Sequence, residues 1–177
     1  MAAAKSSREV ARALASANPV QRREAAEELA RQVAVEHLTL VEGYRMQERD
    51  ARARLAFDWA LYRLGRNEAL FQLVRALDSP RYEQTLGYLS QLESPQPLYV
   101  FIKRTNGNTQ IRLLEVLARI GDESTLEQIK PLAASLDPGI VEAASFAEQE
   151  IKKRLADAPK IEPKRVRQTG VKEDDQP

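Results

Sequence analysis

At 177 residues the chain is about the size of one domain, and 43% hydrophobic content is enough for a buried core. Its 27 Lys and Arg face 26 Asp and Glu, a formal net charge of +1, so no global field selects nucleic acid, anionic lipid or an acidic substrate, and a basic site has to be local. Cysteine is absent, which excludes disulfides, thiolate metal sites and thiol nucleophiles, while seven glycines and 6% aromatics suit helices better than sheets.

The first segment, 1–17, carries Lys5, Arg8, Glu9 and Arg12 and no apolar run long enough for a secretory signal; Glu9 also speaks against a transit peptide. Ser6 and Glu9 have capping-box spacing, which predicts a short N-terminal capping helix. No later stretch approaches a membrane span, so the expectation is a soluble, cytoplasmic protein.

Over 18–157 the chain reads as a repeat domain, with a 28-residue step through its middle and outer steps of 31 from Val33 to Leu64 and from Ile120 to Ile151. The 28-residue step relates Leu64, Leu92 and Ile120, then Leu70, Leu98 and Leu126, then Leu73, Phe101 and Ile129. Three apolar series on one period predict a two-helix unit copied several times. First helices are expected to end near Val33, Leu64, Leu92, Ile120 and Ile151. Four residues before these anchors stand Leu29, Ala60, Tyr88, Val116 and Ala147, and seven before stand Ala26, Phe57, Thr85, Leu113 and Ala144. Spacing of zero, four and seven is one helix face, and small residues on it let neighbouring helices approach closely. Second helices are expected over Glu68–Leu77, Leu98–Arg104 and Leu126–Leu136, and an earlier one around Leu38 and Val41, followed by a connection through Gly43 and Tyr44.

Asn18-Pro19, Ser79-Pro80 and Asp137-Pro138 each offer an N-cap acceptor followed by proline at the first helical position, and Ser124 with Glu127 repeats the capping-box spacing. Gly65 and Gly121 sit just after first helices, where a left-handed C-cap favours glycine. Beyond Ala158 the sequence is charged, proline-bearing and aperiodic, and 158–177 reads as a disordered tail, its basic part Lys160, Lys164, Arg165 and Arg167 preceding acidic Glu173, Asp174 and Asp175.

The stretch Ile120-Gly121-Asp122-Glu123-Ser124-Thr125-Leu126, continued by Leu136-Asp137-Pro138-Gly139-Ile140-Val141-Glu142-Ala143-Ala144, resembles short HEAT repeats of the phycobilisome-lyase-like variety, and Arg63-Leu64-Gly65-Arg66-Asn67-Glu68-Ala69-Leu70 is a weaker copy. The likeness covers about Asn18 to Leu155. It departs where Glu93-Ser94-Pro95-Gln96-Pro97 replaces the glycine turn, and in the first unit, which lacks that turn. It implies an all-α fold, an α-solenoid of about four to five HEAT-like hairpins. Function has to be argued from a site, since HEAT stacks resemble one another whether they serve as scaffolds, bilin-attachment factors, DNA-repair proteins or iron hydroxylases.

Catalytic chemistry finds little support. His37 is the only histidine, so a multi-histidine metal centre cannot be built and a serine triad would depend on this one imidazole; it reads as a partly buried structural residue. Thr105-Asn106-Gly107-Asn108 has one glycine and reads as a turn rather than a phosphate-cradling loop. Glu27 with Glu28, and Asp174 with Asp175, fit solvated faces. HEAT-like alkylpurine DNA glycosylases use tryptophans with an aspartate, and Asp58-Trp59 is such a neighbour pair, but adjacent helical residues point about 100° apart and Trp59 reads better as packing. Arg45, Arg49, Arg52 and Arg54, with Arg22, Arg23 and Arg31, form basic clusters interleaved with Glu42, Glu48 and Asp50, which favours surface ion pairs over phosphate contacts.

In solenoids of this type second helices line the concave face, which puts Phe71 and Tyr99 in an aromatic strip flanked by Arg75, Lys103 and Arg104. The alternative is that both aromatics fill the seams between units. The expected function is a non-enzymatic scaffold or adaptor that docks a protein or peptide through these five residues, with no cofactor, metal or catalytic residue. Nucleic-acid binding of the DNA-repair kind, and a bilin-lyase-like or chaperone role, are the alternatives.

Overall fold

The computed structural model describes residues 6–157. The disordered tail expected over 158–177 lies outside the described residues, as do Lys160, Asp174 and Asp175 within it. The described chain is all-helical, with ten α-helices, four short 3₁₀ segments and no strand. In order they are α1 (Ser7–Arg12), α2 (Pro19–Gln32), α3 (Leu38–Gln47), α4 (Ala51–Arg63), α5 (Ala69–Ala76), α6 (Tyr82–Leu89), α7 (Tyr99–Ile102), α8 (Gly107–Ile120), α9 (Glu123–Ile129) and α10 (Pro138–Asp157). No helix of the described residues is long and apolar enough to cross a membrane.

The expected first helices correspond to α2, α4, α6, α8 and α10, and all ten residues four and seven before their anchors are buried. Ala26, Ala60 and Ala147 have no exposed surface, the close approach their small size allows. α4 lies at the centre, against α2, α3, α5 and α6. It buries Ala53, Leu55, Ala56, Phe57, Trp59, Ala60 and Leu61, apolar almost all round, as a helix enclosed by others must be. At the other end α10 packs on α8 and α9, burying Ile140, Ala144, Ala147 and Ile151 on one stripe. The middle unit is the slightest, with eight residues in α6 and four in α7.

Several starts follow the sequence. The Ser6–Glu9 capping box opens α1, Asn18 Oδ1 accepts from Val20 N at 2.9 Å, and Asp137 Oδ1 accepts from Gly139 N at 2.9 Å. Three local expectations are corrected here. Ser79-Pro80 opens a turn, not a helix: the Ser79 carbonyl accepts from Tyr82 N at 3.0 Å, and α6 starts at Tyr82. The capping box of α9 lies two residues earlier than Ser124–Glu127, with Asp122 Oδ1 accepting from Thr125 N at 3.0 Å and Thr125 Oγ1 from Asp122 N at 2.9 Å. Gly43 and Tyr44 belong to α3, because packing of Val41 and Tyr44 on the core outweighs glycine's helical penalty of about 1 kcal/mol. The connection to α4 is instead Glu48–Asp50, with Asp50 Oδ1 capping α4.

Gly65 is left-handed as expected, at φ 107°. Gly121 is not: at φ −61°, ψ 152° it is extended, and glycine is needed there for space. A Cβ would stand 2.5 Å from the Leu117 carbonyl oxygen and 2.6 Å from Ile151 Cδ1. Val33, which the periodicity aligned with buried anchors, is 43% exposed and takes the left-handed cap itself, at φ 51°. The first unit has no glycine where this turn requires one.

Candidate functional site

The expected docking residues do not form one strip. Phe71 on α5 is half exposed, its ring centroid 6.3 Å from that of Phe101 on α7, and the Arg75 guanidinium lies 6.0 Å from the Phe71 centroid. Tyr99 turns to the seam between α7 and α9, where its hydroxyl lies 2.9 Å from Asp122 Oδ1 and 2.8 Å from Thr125 Oγ1. Partial burial pushes the Tyr99 phenol upward, while its hydrogen bond helps hold Asp122 below the ordinary carboxylate range. Lys103 and Arg104 follow α7 and are exposed. Of the aromatic pair, then, Phe71 offers surface and Tyr99 a joint between helices.

Asp58 and Trp59 point apart, as neighbours on a helix must. Trp59 is 3% exposed and stacks on Tyr88 from α6, centroids 5.5 Å apart and planes 1° from parallel. The Tyr88 hydroxyl donates to Glu27 Oε1 at 2.5 Å, so Glu27 is engaged across helices rather than merely solvated. Burial drives that phenol far above its ordinary value. His37 is the last residue of the 3₁₀ turn Val35–His37, with Glu36 Oε1 3.7 Å from its Nε2. Among the described residues no three His, Asp or Glu side chains gather as a metal site would need.

Asp58 opens onto a different feature. Residues 45, 49, 54, 75 and 81 bring five arginines around a cleft of about 370 Å³. Its walls follow from helical spacing: Ala51, Arg54, Leu55 and Asp58 share a face of α4, and Gln72, Arg75 and Ala76 share a face of α5. Arg45 comes from the last turn of α3, Arg49 from the connection after it, and Ser79 and Arg81 from the turn before α6.

Asp58, 6% exposed, is the one acid of the lining, and Arg45 grips both its oxygens, Nε to Oδ1 at 2.6 Å and Nη2 to Oδ2 at 3.1 Å. Burial pushes the Asp58 carboxyl up, against the pull of its bonds to Arg45 and of the Arg45 and Arg54 charges. The other four cleft arginines have no such partner. Among the described residues no carboxylate oxygen lies within 4.0 Å of the guanidinium nitrogens of Arg49, Arg54, Arg75 or Arg81.

The acids interleaved with these arginines in sequence are engaged elsewhere. Glu48 is bound by Arg22, with Nε to Oε2 at 2.6 Å and Nη2 to Oε1 at 2.8 Å. It also accepts from the backbone N–H groups of Arg49 and Asp50, and these bonds hold its carboxyl below the ordinary range despite burial. Glu42 pairs with Arg66, and Asp50 caps α4. Ion pairing, expected for the whole basic cluster, holds for Arg22, Arg23, Arg31 and Arg45, while Arg49, Arg52 and Arg54 have no carboxylate partner among the described residues. The cleft was missed in sequence because Arg75 and Arg81 join it only through the return of the chain along α5.

Neither a protein-family model nor a curated protein sequence matches the chain.

Proposed function

We propose that the chain is a short α-solenoid of HEAT-like hairpins that works without catalysis, as an interaction module holding a protein partner against the face of α5 and its neighbours. The solenoid reading is supported by α2, α4, α6 and α8 each being longer than the helix that follows and by the same spacing of buried positions within α2, α4, α6, α8 and α10. The docking reading is carried by one observation: the half-exposed Phe71, with Arg75 against its ring, stands beside a cleft in which Arg49, Arg54, Arg75 and Arg81 have no carboxylate partner among the described residues. An exposed aromatic next to unpaired arginines is the composition of a binding hot spot for an apolar and acidic segment.

The test is affinity capture from the native lysate followed by mass spectrometry, with wild type, Phe71→Ser and Lys103→Glu/Arg104→Glu compared. The expected result is a protein retained by wild type and lost from Phe71→Ser, with helical signal and melting temperature unchanged. Equal retention by all three sinks the reading. Nucleic-acid binding is the second reading, favoured by Arg49, Arg52 and Arg54 having no carboxylate partner among the described residues. It predicts affinity falling steeply between two ionic strengths in a filter-binding assay.

A further inference from the structure

The cleft differs from an ordinary basic surface in that its charge is concentrated. On the α2 side, Arg22, Arg23 and Arg31 are matched to Glu48, Glu27 and Glu28, and beyond α4, Arg63 and Arg66 are matched to Glu93 and Glu42. Five arginines line the cleft, and its only carboxylate, Asp58, is already doubly bonded to one of them, Arg45. Like charges so placed make the cleft electropositive and favour an anion there.

The size of the cavity narrows the choice of anion. At about 370 Å³ it falls at the small end of ligand pockets, which run from roughly 300 to 1,000 Å³. A strand of nucleic acid needs a basic track following successive phosphates, and the paired arginines on both sides interrupt such a track. A single carboxylate would answer one positive charge of four. A phosphate monoester carries about −1.5 to −2 charges near neutral pH and three acceptor oxygens, and guanidinium forks match phosphate geometry bidentately. Arg54 comes from α4 and Arg75 from α5, with Gln72 adding an amide on the α5 side. Phe71, one turn before Arg75, would meet an apolar neighbour of the phosphorylated residue.

We propose that the cleft formed by Arg45, Arg49, Arg54, Arg75 and Arg81 is a receptor for a phosphorylated serine or threonine on a partner protein. The proposal rests on the interaction-module reading and narrows it: docking is conditional on phosphorylation. Asp58 orients Arg45 and sets the back wall, and the other four arginines are the variable charge that the phosphate neutralises.

The probes are a fluorescent pool of nine-residue peptides with central phosphoserine and degenerate flanks, the same pool with serine or glutamate at the centre, and a twelve-nucleotide oligothymidylate. Each is titrated with the full chain and followed by anisotropy. The phosphoserine pool should bind at least tenfold more tightly than the serine and glutamate pools. Arg54→Gln and Arg75→Gln should each weaken it about tenfold without lowering the melting temperature, and Arg52→Gln, an exposed arginine outside the cleft lining, should leave it unchanged. Lys in place of Arg54 or Arg75 should recover only part of the loss, because an ammonium keeps the charge without the fork. Equal binding of the three peptide pools, stronger binding of the oligothymidylate, or no binding of any probe overturns the proposal. Capture of a partner that depends on Phe71 but is indifferent to phosphatase treatment would remove the phosphate claim and leave the interaction module standing.

Discussion

Replacing Glu48 with alanine tests how the charges around the cleft are distributed. The carboxylate is 1% exposed, and its two oxygens accept four bonds, from Arg22 Nε at 2.6 Å, Arg22 Nη2 at 2.8 Å, Arg49 N at 2.9 Å and Asp50 N at 2.8 Å. Breaking a buried ion pair costs about 3 to 5 kcal/mol, because the remaining charge is left uncompensated. Here Arg22 keeps the Ser16 and Ala17 carbonyls at 2.8 and 3.0 Å and is 20% exposed, which places the cost near the lower end, about 3 kcal/mol. For a chain of this length that lowers the melting temperature by about 6 to 12 °C. Urea unfolding followed by circular dichroism measures the free energy directly, and a double-mutant cycle with Arg22→Met separates the pair from the backbone bonds.

The acid limb of the stability curve offers a second reading of the same group. Glu48's folded value is lowered from 4.5, so its contribution is fully present above pH 4.5 and is lost as pH falls through the lowered value. The difference between wild type and Glu48→Gln should therefore be flat above about pH 5.5 and shrink below 4.5. A loss under about 1 kcal/mol with no coupling to Arg22 would mean that Glu48 is free to neutralise Arg49, and the count of unpaired cleft arginines would fail with it.

Gly121→Ala should cost about 3 kcal/mol, since the new methyl meets the Leu117 carbonyl oxygen at 2.5 Å and neither backbone nor Ile151 can withdraw cheaply; thermal unfolding at equal protein concentration measures it. Leu117→Ala, at a site with no exposed surface, should lose about 2 to 5 kcal/mol, and Ile120→Ala, only partly buried, distinctly less, so equal losses would contradict the burial assigned to α8. Val33→Gly should raise stability by up to about 1 kcal/mol, because a β-branched residue is strained at φ 51° and little of its side chain is packed. A lower urea midpoint for that variant would show the left-handed cap to be wrong.

The long helices were legible because burial follows a single spacing. Leu29, Ala60, Tyr88, Val116 and Ala147 repeat one role in five helices, and nothing local competes with it. Capping at Asn18 and Asp137 was equally readable, each acceptor lying two residues before the N–H it meets. Local signals misled where packing decided, as at Gly43, held helical by Val41 and Tyr44, and at Gly121, where the Leu117 carbonyl and Ile151 of α10, rather than the backbone angle, demand glycine. The cleft was the least legible feature. Arg45, Arg49, Arg52 and Arg54 were visible as a group, but whether they are neutralised depends on Glu48 reaching back to Arg22 and Glu42 reaching forward to Arg66, partners 26 and 24 residues away.

Trp59 is the only tryptophan of the chain, and its face-to-face contact with Tyr88 ties α4 to the short α6. Its intrinsic emission therefore reports on that one junction without a label, while far-ultraviolet ellipticity averages over every helix. If the short α6 parts from α4 before the longer helices come apart, this contact opens ahead of the rest of the fold. Fluorescence and ellipticity would then trace separate unfolding curves, and their separation would locate the first opening at the α4–α6 contact.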